Sequence, residues 1–510
     1  MRYMFHPFKL LGGEKNYLLL FQNNYELRPT GGFISAFGLL TIKNGIPTSF
    51  NFEDVYGTID DHDFVQPPEP LDQLLADPNY KGHTFRDANV APNFPTTAAD
   101  LEGFLHKTRP FQKIDGVVSV DMSFLEYWLD AVRGVSINGT TYTSTTVFEQ
   151  LENQVSNVDL HDVSALENRK SFTKDLIKAM VKKSALPWNH FSVLNSFRKA
   201  FDDKHAQLFF KDEKLETIAR NAHWAGTLTP AGRNDLLAIV DANYGGGKSN
   251  RYIQRSVFYA VDLLAGKSKL YIRYDHPGQQ NVPLSTDYKG YVRVYLPNDH
   301  VVDNAQLSGK ENGLTYGGFA YRLPVESTQT LSADISFPRS IFDELHYQLH
   351  VQKQPGTFDD YYEIAVRIPQ GMHVVSGDFS QRENIAIWKG LLTHDIDLSF
   401  EVAPDTFAPR VIRQGLGKIN ELVLEFNEPI EPTSVLLEKI RVRDSNVTLP
   451  QYDDLKIVSY KVEGKKITFV TDTMTAQPEE RYIVEVGGLR DLAGNELPQR
   501  TYTFVQRLAK

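Results

Sequence analysis

The sequence predicts a multidomain protein in which an α/β domain is followed by all-β domains. Its 510 residues exceed what one hydrophobic core normally serves. Apolar runs and helix-period segments fill the first part, whereas later segments alternate side-chain class as half-buried antiparallel strands do. A proline-punctuated linker at residues 403–409 precedes the last part. We therefore expect an α/β domain over residues 1–190, a β-sandwich with a short helical lead-in over 191–400, and a second sandwich over 401–510.

The first elements predicted are strands. Tyr17–Phe21 is a continuous apolar run, as expected for a strand buried on both faces. Gly32–Ile42 and Thr48–Phe52 read as two more strands joined by the turn dipeptide at 44–45. The elements that follow in this domain are a helix through 99–105 capped by Thr96, the strand Gly116–Val120, the helix Phe124–Val132 capped by Asp121, and the helix Ala165–Ser184.

The second domain begins, in this interpretation, with a short helix at Glu213–Ala222. Its strands are predicted at Leu236–Val240, Val257–Leu264, Lys269–Tyr274, Tyr291–Tyr295, Leu345–Val351 and Tyr362–Ile368.

Composition excludes several functions. The net charge of −10, from 54 basic and 64 acidic residues, provides no general field for nucleic acid. The absence of cysteine excludes thiol catalysis, thiolate metal sites and disulfides. No run reaches the roughly 20 apolar residues of a membrane helix. We expect any membrane anchor to lie in a segment that this chain lacks.

Several uncommon sequence blocks occur in a fixed order. They are Tyr17–Asn24 (YLLLFQNN), Glu26–Phe33 (ELRPTGGF), residues 54–56 (DVY), Phe85–Asn89 (FRDAN), Asp241–Asn243 (DAN), Lys248–Asn250 (KSN) and Gln352–Gly356 (QKQPG). Together they resemble the bacterial family called domain of unknown function 4012, over residues 15–380.

That family is remotely similar to the LytR-CpsA-Psr glycopolymer transferases, through residues 17–30 and 115–135 and the start of the long helix. The resemblance implies an α/β/α domain with a mixed central sheet, an extracytoplasmic place in the cell envelope, and binding of a polyprenyl-pyrophosphate-linked glycan or cell-wall polymer. Phe426–Pro429 and Asp491–Glu496 resemble a bacterial Ig-like domain of the S-layer type, which implies a spacer or adhesive tail.

Arg28 is the first candidate ligand-binding residue. A guanidinium binds phosphate oxygens in a bidentate manner, and Gly31 and Gly32 would let main-chain amides approach an anion. The alternative is a tight turn in which Arg28 pairs with Glu26.

Two further arginines would complete a basic pocket. Arg169, with Asn168, would open the long helix, where amides and the macrodipole favour an anion. Arg86 lies in a loop beside Asp87 and Asn89. Surface or loop ion pairs are the alternative for both arginines.

Polar residues around the end of the first strand complete the candidate site. Asn23 and Asn24 end that strand, where α/β sheets place ligand contacts, and Thr30 follows in the loop. In the transferases this loop supplies carboxylates for a divalent metal; here Thr30 and glycines occupy the matching positions. Glu26, Asp54 and Asp87 are the remaining carboxylates for Mg²⁺.

Three functions stay open at this stage. A transferase would use the arginines to stabilise charge on the pyrophosphate, with Asp54 or Glu26 as base for the acceptor hydroxyl. A non-catalytic member would bind envelope glycan only, consistent with the missing carboxylates. An adhesin or scaffold would use the α/β domain structurally.

Three metal-like or phosphate-like motifs are discounted. Gly245–Ser249 (GGGKS) has Ala242 where a phosphate-binding loop needs glycine, and it reads as a loop between strands. Residues 60–63 (DDHD) lack the glycine-spaced calcium pattern, and the Asp491–Glu496 segment reads as an Asp-rich turn.

Overall fold

A mixed five-stranded sheet organises the N-terminal domain. The computed structural model describes residues 12–55, 84–110, 112–155, 163–228, 230, 232, 234–338, 345–418, 420–445, 454–472, 474 and 481–505. The strands of this domain are β1 (Glu14–Asn23), β2 (Phe33–Lys43), β3 (Ile46–Asp54), β4 (Gly116–Val120), β5 (Val135–Ile137), β6 (Thr140–Tyr142) and β7 (Ala206–Phe210). The sheet order is β3-β2-β1-β4-β7, and only the β1–β4 pair is parallel.

Helices cover this sheet. They are α1 (Phe94–Thr108), α2 (Met122–Val132), α3 (Val147–Val155), α4 (Val163–Ser184), α5 (His190–Asp202) and α6 (Glu213–Asn221). The predicted cap of α2 is confirmed, because the Asp121 carboxylate accepts the Phe124 amide at 3.0 Å. The predicted cap of α1 is wrong: the helix begins at Phe94 after Asn93, because Pro95 fits the first turn, where its missing N–H costs nothing.

The α/β sheet continues past residue 190, where the sequence placed the end of this domain. Strand β7 pairs antiparallel with β4 over five residues, from Gly116 with Phe210 to Val120 with Ala206. Helices α5 and α6 flank it in the chain, so the predicted lead-in to the sandwich is part of the α/β domain. The sandwich proper starts at Asp235.

Two seven-stranded sheets form the second domain. Their strands are β8 (Asp235–Asn243), β9 (Gln254–Asp262), β10 (Lys267–His276), β11 (Tyr288–Pro297), β12 (Val301–Val302), β13 (Leu307–Glu311), β14 (Leu314–Leu323), β15 (Ser327–Ser336), β16 (His346–Gln352), β17 (Asp360–Arg367), β18 (Met372–Gly377), β19 (Ser380–Arg382), β20 (Ile385–Leu392) and β21 (Ile396–Pro404). The orders are β12-β15-β10-β9-β17-β20-β19 and β13-β14-β11-β8-β16-β21-β18. Inward side chains of both sheets share one core, so this domain is a β-sandwich.

Two four-stranded sheets form the C-terminal domain. Their strands are β22 (Val411–Leu416), β23 (Glu421–Phe426), β24 (Ile440–Asp444), β25 (Asp454–Leu455), β26 (Ile457–Glu463), β27 (Lys466–Thr471), β28 (Arg481–Val486) and β29 (Arg500–Val505). The orders are β22-β23-β27-β26 and β25-β24-β28-β29, and one apolar core joins them. The expected fold class, mixed α/β followed by β-sandwiches, is confirmed. The Ig-like resemblance of this tail stays a prediction.

Among the described residues, none of the helices combines the length and the apolar character needed to cross a bilayer.

Candidate functional site

Six of the seven uncommon sequence blocks, all except residues 54–56, converge where the α/β domain meets the first sandwich. The loop after β1 pairs by its main chain with residues near the end of β8: the Asn243 amide donates to the Leu27 carbonyl at 2.9 Å, and the Asn250 amide to the Tyr25 carbonyl at 3.1 Å. The Asn250 side chain accepts the Leu27 amide at 3.0 Å. Residues more than 200 positions apart in the chain therefore form one continuous polar junction.

Arg28 lies inside this junction. Its side chain is 5% exposed, and its Nη2 is 3.0 Å from a Glu26 oxygen and 3.8 Å from an Asp87 oxygen. Its Nη1 donates to the Asn243 carbonyl. The aromatic rings of Phe33 and Tyr244 lie 5.6 and 5.2 Å from the guanidinium carbon. This is the alternative arrangement that the sequence left open, with Arg28 paired to Glu26.

The charges at the junction depend on one another. Burial acts to lower the pKa of Arg28, but Glu26 and Asp87 raise it above its ordinary value, so the guanidinium stays charged. Burial raises the pKa of Glu26, and Arg28 offsets that effect only in part. A buried cation with two acidic neighbours is already neutralised, so little net attraction is left for a phosphate.

The glycines beside Arg28 serve close packing. A Cβ on Gly32 would overlap the main chain of Asn23, and a Cβ on Gly31, whose φ is +128°, would overlap the Gln22 side chain. The Gly32 carbonyl accepts the Asn89 side-chain amide at 2.8 Å. Protein atoms therefore occupy the space in which an anion was expected to approach the main-chain amides.

Thr30 and Asn24 are also part of the packed junction. The buried Thr30 carbonyl accepts the Gln207 side-chain amide at 2.7 Å. The Asn24 side-chain amide donates to the Gly356 carbonyl at 3.0 Å and to the Ser123 hydroxyl at 3.1 Å. Both residues therefore connect separate segments of the fold.

Residues of the QKQPG block complete the contact from the sandwich side. The Gln354 side chain accepts the Asp241 amide at 2.8 Å and donates to the Asp241 carbonyl at 2.6 Å. It also donates to the Arg28 carbonyl at 3.3 Å. A Cβ on Gly356 would overlap the Gly31 carbonyl, so only glycine allows this approach.

The other predicted site residues are not all brought to Arg28. Arg86 is 30% exposed by its side chain and lies 3.5 Å from Asp87, which joins it to the junction. The Asn23 side-chain oxygen accepts a hydrogen bond from the Tyr25 main-chain amide at 3.1 Å, which is a local turn contact. Asp54 is buried at the end of β3.

Arg169 does not open its helix. Helix α4 begins at Val163, which makes Arg169 its seventh residue and places it beyond the four free amides of the N-terminus. The side chains of Asn168 and Arg169 lie outside the described residues, as do residues 60–63.

The donor set at Arg28 does not fit Mg²⁺. Both nearby carboxylates, Glu26 and Asp87, point at the same guanidinium nitrogen, whose positive charge stands where a cation would be held. Within the described part of the chain, the one group of three acidic residues close enough to share an ion is in the C-terminal domain: Asp405, Glu428 and Asp491.

That acidic group surrounds the linker before the last domain. Asp491 accepts the amides of Ala493 and Asn495 at 2.8 and 2.9 Å, which confirms the predicted Asp-rich turn. Burial and the neighbouring carboxylates raise the pKa of Glu428 to about 7.

A polar cleft beside the junction was not predicted. It has a volume of about 620 Å³. It is lined by Asn195, Arg198, Lys199, Asp202, Asp203, Lys204, Ala222, His223, His394 and Asp395. These residues come from α5, from the segments after α5 and α6, and from the β20–β21 turn. Because they are far apart in the sequence, no local motif predicts the cleft.

Ion pairs balance the charge of this cleft. Arg198 lies 2.7 Å from Asp202, and Lys199 pairs with Asp203. Lys204, which is 4% exposed, lies 2.6 Å from Asp395 across the two domains. The cleft is therefore polar without strong net charge.

Comparison with known proteins finds one matching family model and several solved structures that are similar to parts of the chain. Residues 12–155 match the family described as "Protein of unknown function (DUF4012)". This confirms the family resemblance for the motif blocks up to residue 89, whereas the blocks at 241–250 and 352–356 lie beyond the matched residues. No curated protein matches the chain.

The solved structures are similar only over parts of the chain. The N-terminal part of the bacterial S-layer protein SbsC is 20% identical over 20% of this chain, with a TM-score of 0.18; the chain spans about a quarter of that structure (24%). TagV from B. subtilis is 12% identical over 42% of this chain and 80% of its own, with a TM-score of 0.26. Protein gbs0355 from Streptococcus agalactiae is 12% identical over 43% and 76%, with a TM-score of 0.28. At these TM-scores the likenesses carry no argument about mechanism.

Proposed function

We propose that this chain is an extracytoplasmic cell-envelope protein that binds the glycan of a cell-wall polymer without transferring it. The place in the envelope follows from the sequence resemblance of residues 17–30 and 115–135 to the LytR-CpsA-Psr proteins. The non-catalytic role follows from the surroundings of Arg28.

The enclosure of Arg28 is the observation that carries the proposal. A transferase needs its arginine at the rim of a cavity, where it can meet a pyrophosphate. Here the guanidinium is buried, paired with Glu26 and Asp87, and bonded to the main chain of Asn243. Its role in this proposal is to fasten the α/β domain to the first sandwich.

The polar cleft supports binding of a sugar chain. Its volume falls within the range of about 300–1,000 Å³ that ligand sites occupy. Carboxylates accept hydrogen bonds from sugar hydroxyls, while lysine, arginine and amide groups donate to them. Because the charges are paired within the protein, the cleft suits a hydroxyl-rich, near-neutral glycan better than a pyrophosphate.

Co-sedimentation with purified bacterial cell walls tests the proposal. Walls are used intact and after removal of their phosphodiester-linked polymers. The rim variant Asn195→Ala/His394→Ala changes two exposed cleft residues and should leave the fold intact. Lys389→Ala, on the exposed face of β20, is the matched control.

We expect the wild type and the control variant to sediment with walls and the rim variant to bind at least about tenfold more weakly, since lost contacts worth 1.4 kcal/mol are tenfold in affinity. Binding that survives polymer removal would identify the wall's own glycan strands as the target. Equal binding by all three proteins would contradict the cleft as the site and leave the scaffold role.

A further inference from the structure

The turn between α4 and α5 and the first part of α5 carry large apolar side chains in solvent. Trp188, Phe191 and Leu194 are 73%, 77% and 69% exposed. Their spacing of three residues places them on one side of the helical segment that runs from Pro187 to Asp202. Single exposed apolar residues are ordinary, but three adjoining ones of this size mark an interaction surface. We call these three residues the α4–α5 patch.

The patch is separate from the packing of α5 against its own domain. Val193 and Ala200 on the inner side of α5 are buried. Phe197 contacts the rings of Phe124 and Trp128 in α2, with centroids 4.9 and 5.3 Å away. Helix α5 therefore has an apolar inner face that packs against its own domain and an apolar outer face that is exposed to solvent.

Lysines on α4 lead towards the patch, because the turn packs back on the end of α4: the Asn189 side-chain amide donates to the Lys183 carbonyl at 2.9 Å. Lys174, Lys178 and Lys182 follow one another at four-residue intervals, so they form one stripe along the helix. Lys178 lies 3.6 Å from Asp175, an exposed pair that solvent screens strongly. The stripe is locally basic in a chain whose net charge is −10.

We propose that the α4–α5 patch docks on an anionic lipid bilayer. Trp188, Phe191 and Leu194 enter the boundary between headgroups and acyl chains, and the lysine stripe contacts lipid phosphates. Apolar residues with tryptophan on one side and lysines beside them are the pattern of interfacial helices. This inference goes beyond glycan binding and uses none of the cleft residues as contacts.

Charge argues against a second copy of this chain as the occupant. A two-fold symmetric contact brings the same surface of both partners together. The Lys182 end of the stripe would then lie close to its own copy, where like charges repel. An anionic membrane complements the stripe instead.

Vesicle co-sedimentation of the full chain tests the inference. Vesicles of phosphatidylglycerol and phosphatidylcholine are compared with phosphatidylcholine alone. The patch variant Trp188→Ser/Phe191→Ser/Leu194→Ser should weaken partitioning at least about 100-fold, since each large apolar side chain contributes a factor of about ten when buried. Circular dichroism should be unchanged, because the three side chains are exposed in the native fold.

Two further variants separate the contributions. Lys178→Gln/Lys182→Gln should weaken binding to the anionic vesicles by about five-fold per lysine, and added salt should reduce the difference. The control Phe407→Ser/Ile412→Ser/Val458→Ser removes apolar side chains that are 61–63% exposed, from the linker at 403–409 and the C-terminal domain. It should bind as the wild type does.

Brominated lipids give a second readout. Bromine on the upper acyl chain should quench wild-type tryptophan fluorescence, and Trp188→Phe should abolish most of that quenching while keeping vesicle binding. Wild-type protein that stays in the supernatant with anionic vesicles would overturn the inference. So would vesicle binding that the patch variant retains, or a wild-type dimer in light scattering that the patch variant loses.

Discussion

Replacing Arg28 by alanine should destabilise the joint between the α/β domain and the first sandwich. The change leaves the Glu26 carboxylate buried without its cation, and the Asn243 carbonyl loses its donor. It also removes the cation–π contacts of the guanidinium with the Phe33 and Tyr244 rings.

The size of the effect follows from the burial of the pair. Removing one partner of a buried ion pair costs about 3–5 kcal/mol. The lost main-chain bond, by itself about 1–3 kcal/mol, overlaps with that cost because the contacts belong to one network. We therefore expect the free energy of unfolding to fall by about 3–5 kcal/mol in total.

Urea unfolding followed by fluorescence measures the loss, and hydrogen exchange locates it. The amides of Leu27, Asn243 and Asn250, which join the two domains, should exchange faster in the variant. Arg198→Ala is the control. Its ion pair with Asp202 is exposed, so its loss should cost under about 0.5 kcal/mol.

The double variant Glu26→Leu/Arg28→Met sharpens the test. Replacing both charges by apolar groups removes the stranded carboxylate, so part of the lost stability should return. The reasoning is refuted if Arg28→Ala is as stable as Arg198→Ala. An unchanged stability together with lost wall binding would make Arg28 a ligand-binding residue.

Three other predictions follow from particular contacts. Gly356→Ala should abolish soluble expression or cost more than about 3 kcal/mol in a thermal melt, since φ is +80° and the added carbon overlaps the Gly31 carbonyl; a melt like that of the wild type would contradict it. Asp121→Ala should cost at least about 1–2 kcal/mol, since it removes both the α2 cap and the buried 2.8 Å contact with the His205 ring, while Asp121→Asn, which keeps an acceptor for the Phe124 amide, should cost less; equal losses would speak against the cap. With a chelator present, the free energy of unfolding of the C-terminal domain should fall by on the order of 1 kcal/mol as pH rises from about 4.5 to about 7. The reason is that the folded state holds the Glu428 proton more tightly than the unfolded chain does. Glu428→Gln should remove this fall, and an equal fall in both proteins would exclude the Glu428 carboxyl as its cause.

Local patterns made the main elements of the α/β domain predictable. The apolar run at 17–21 lies in β1, and the Asp121 cap lies where the sequence placed it, because both depend on neighbouring residues. The pairing of Arg28 with Glu26, two residues away, was foreseen as an alternative for the same reason.

Contacts between distant segments could not be predicted from local sequence patterns. Strand β7 joins the first sheet because its partner β4 is an open edge about ninety residues earlier, and no periodicity records that pairing. The contact of Arg28 with Asn243 spans 215 residues. The motif blocks marked residues that belong together, but only the fold shows that they meet at a domain junction rather than at an open site.

The most direct test of binding without transfer combines both properties in one reaction. The full chain is incubated with purified cell walls, a polyprenyl-pyrophosphate-linked oligosaccharide and Mg²⁺, and wall-bound protein and released polyprenyl phosphate are measured together. We expect protein on the walls and release no faster than in the reaction without protein. Release that needs the protein and stops in an Arg28→Lys variant that still folds would contradict this account.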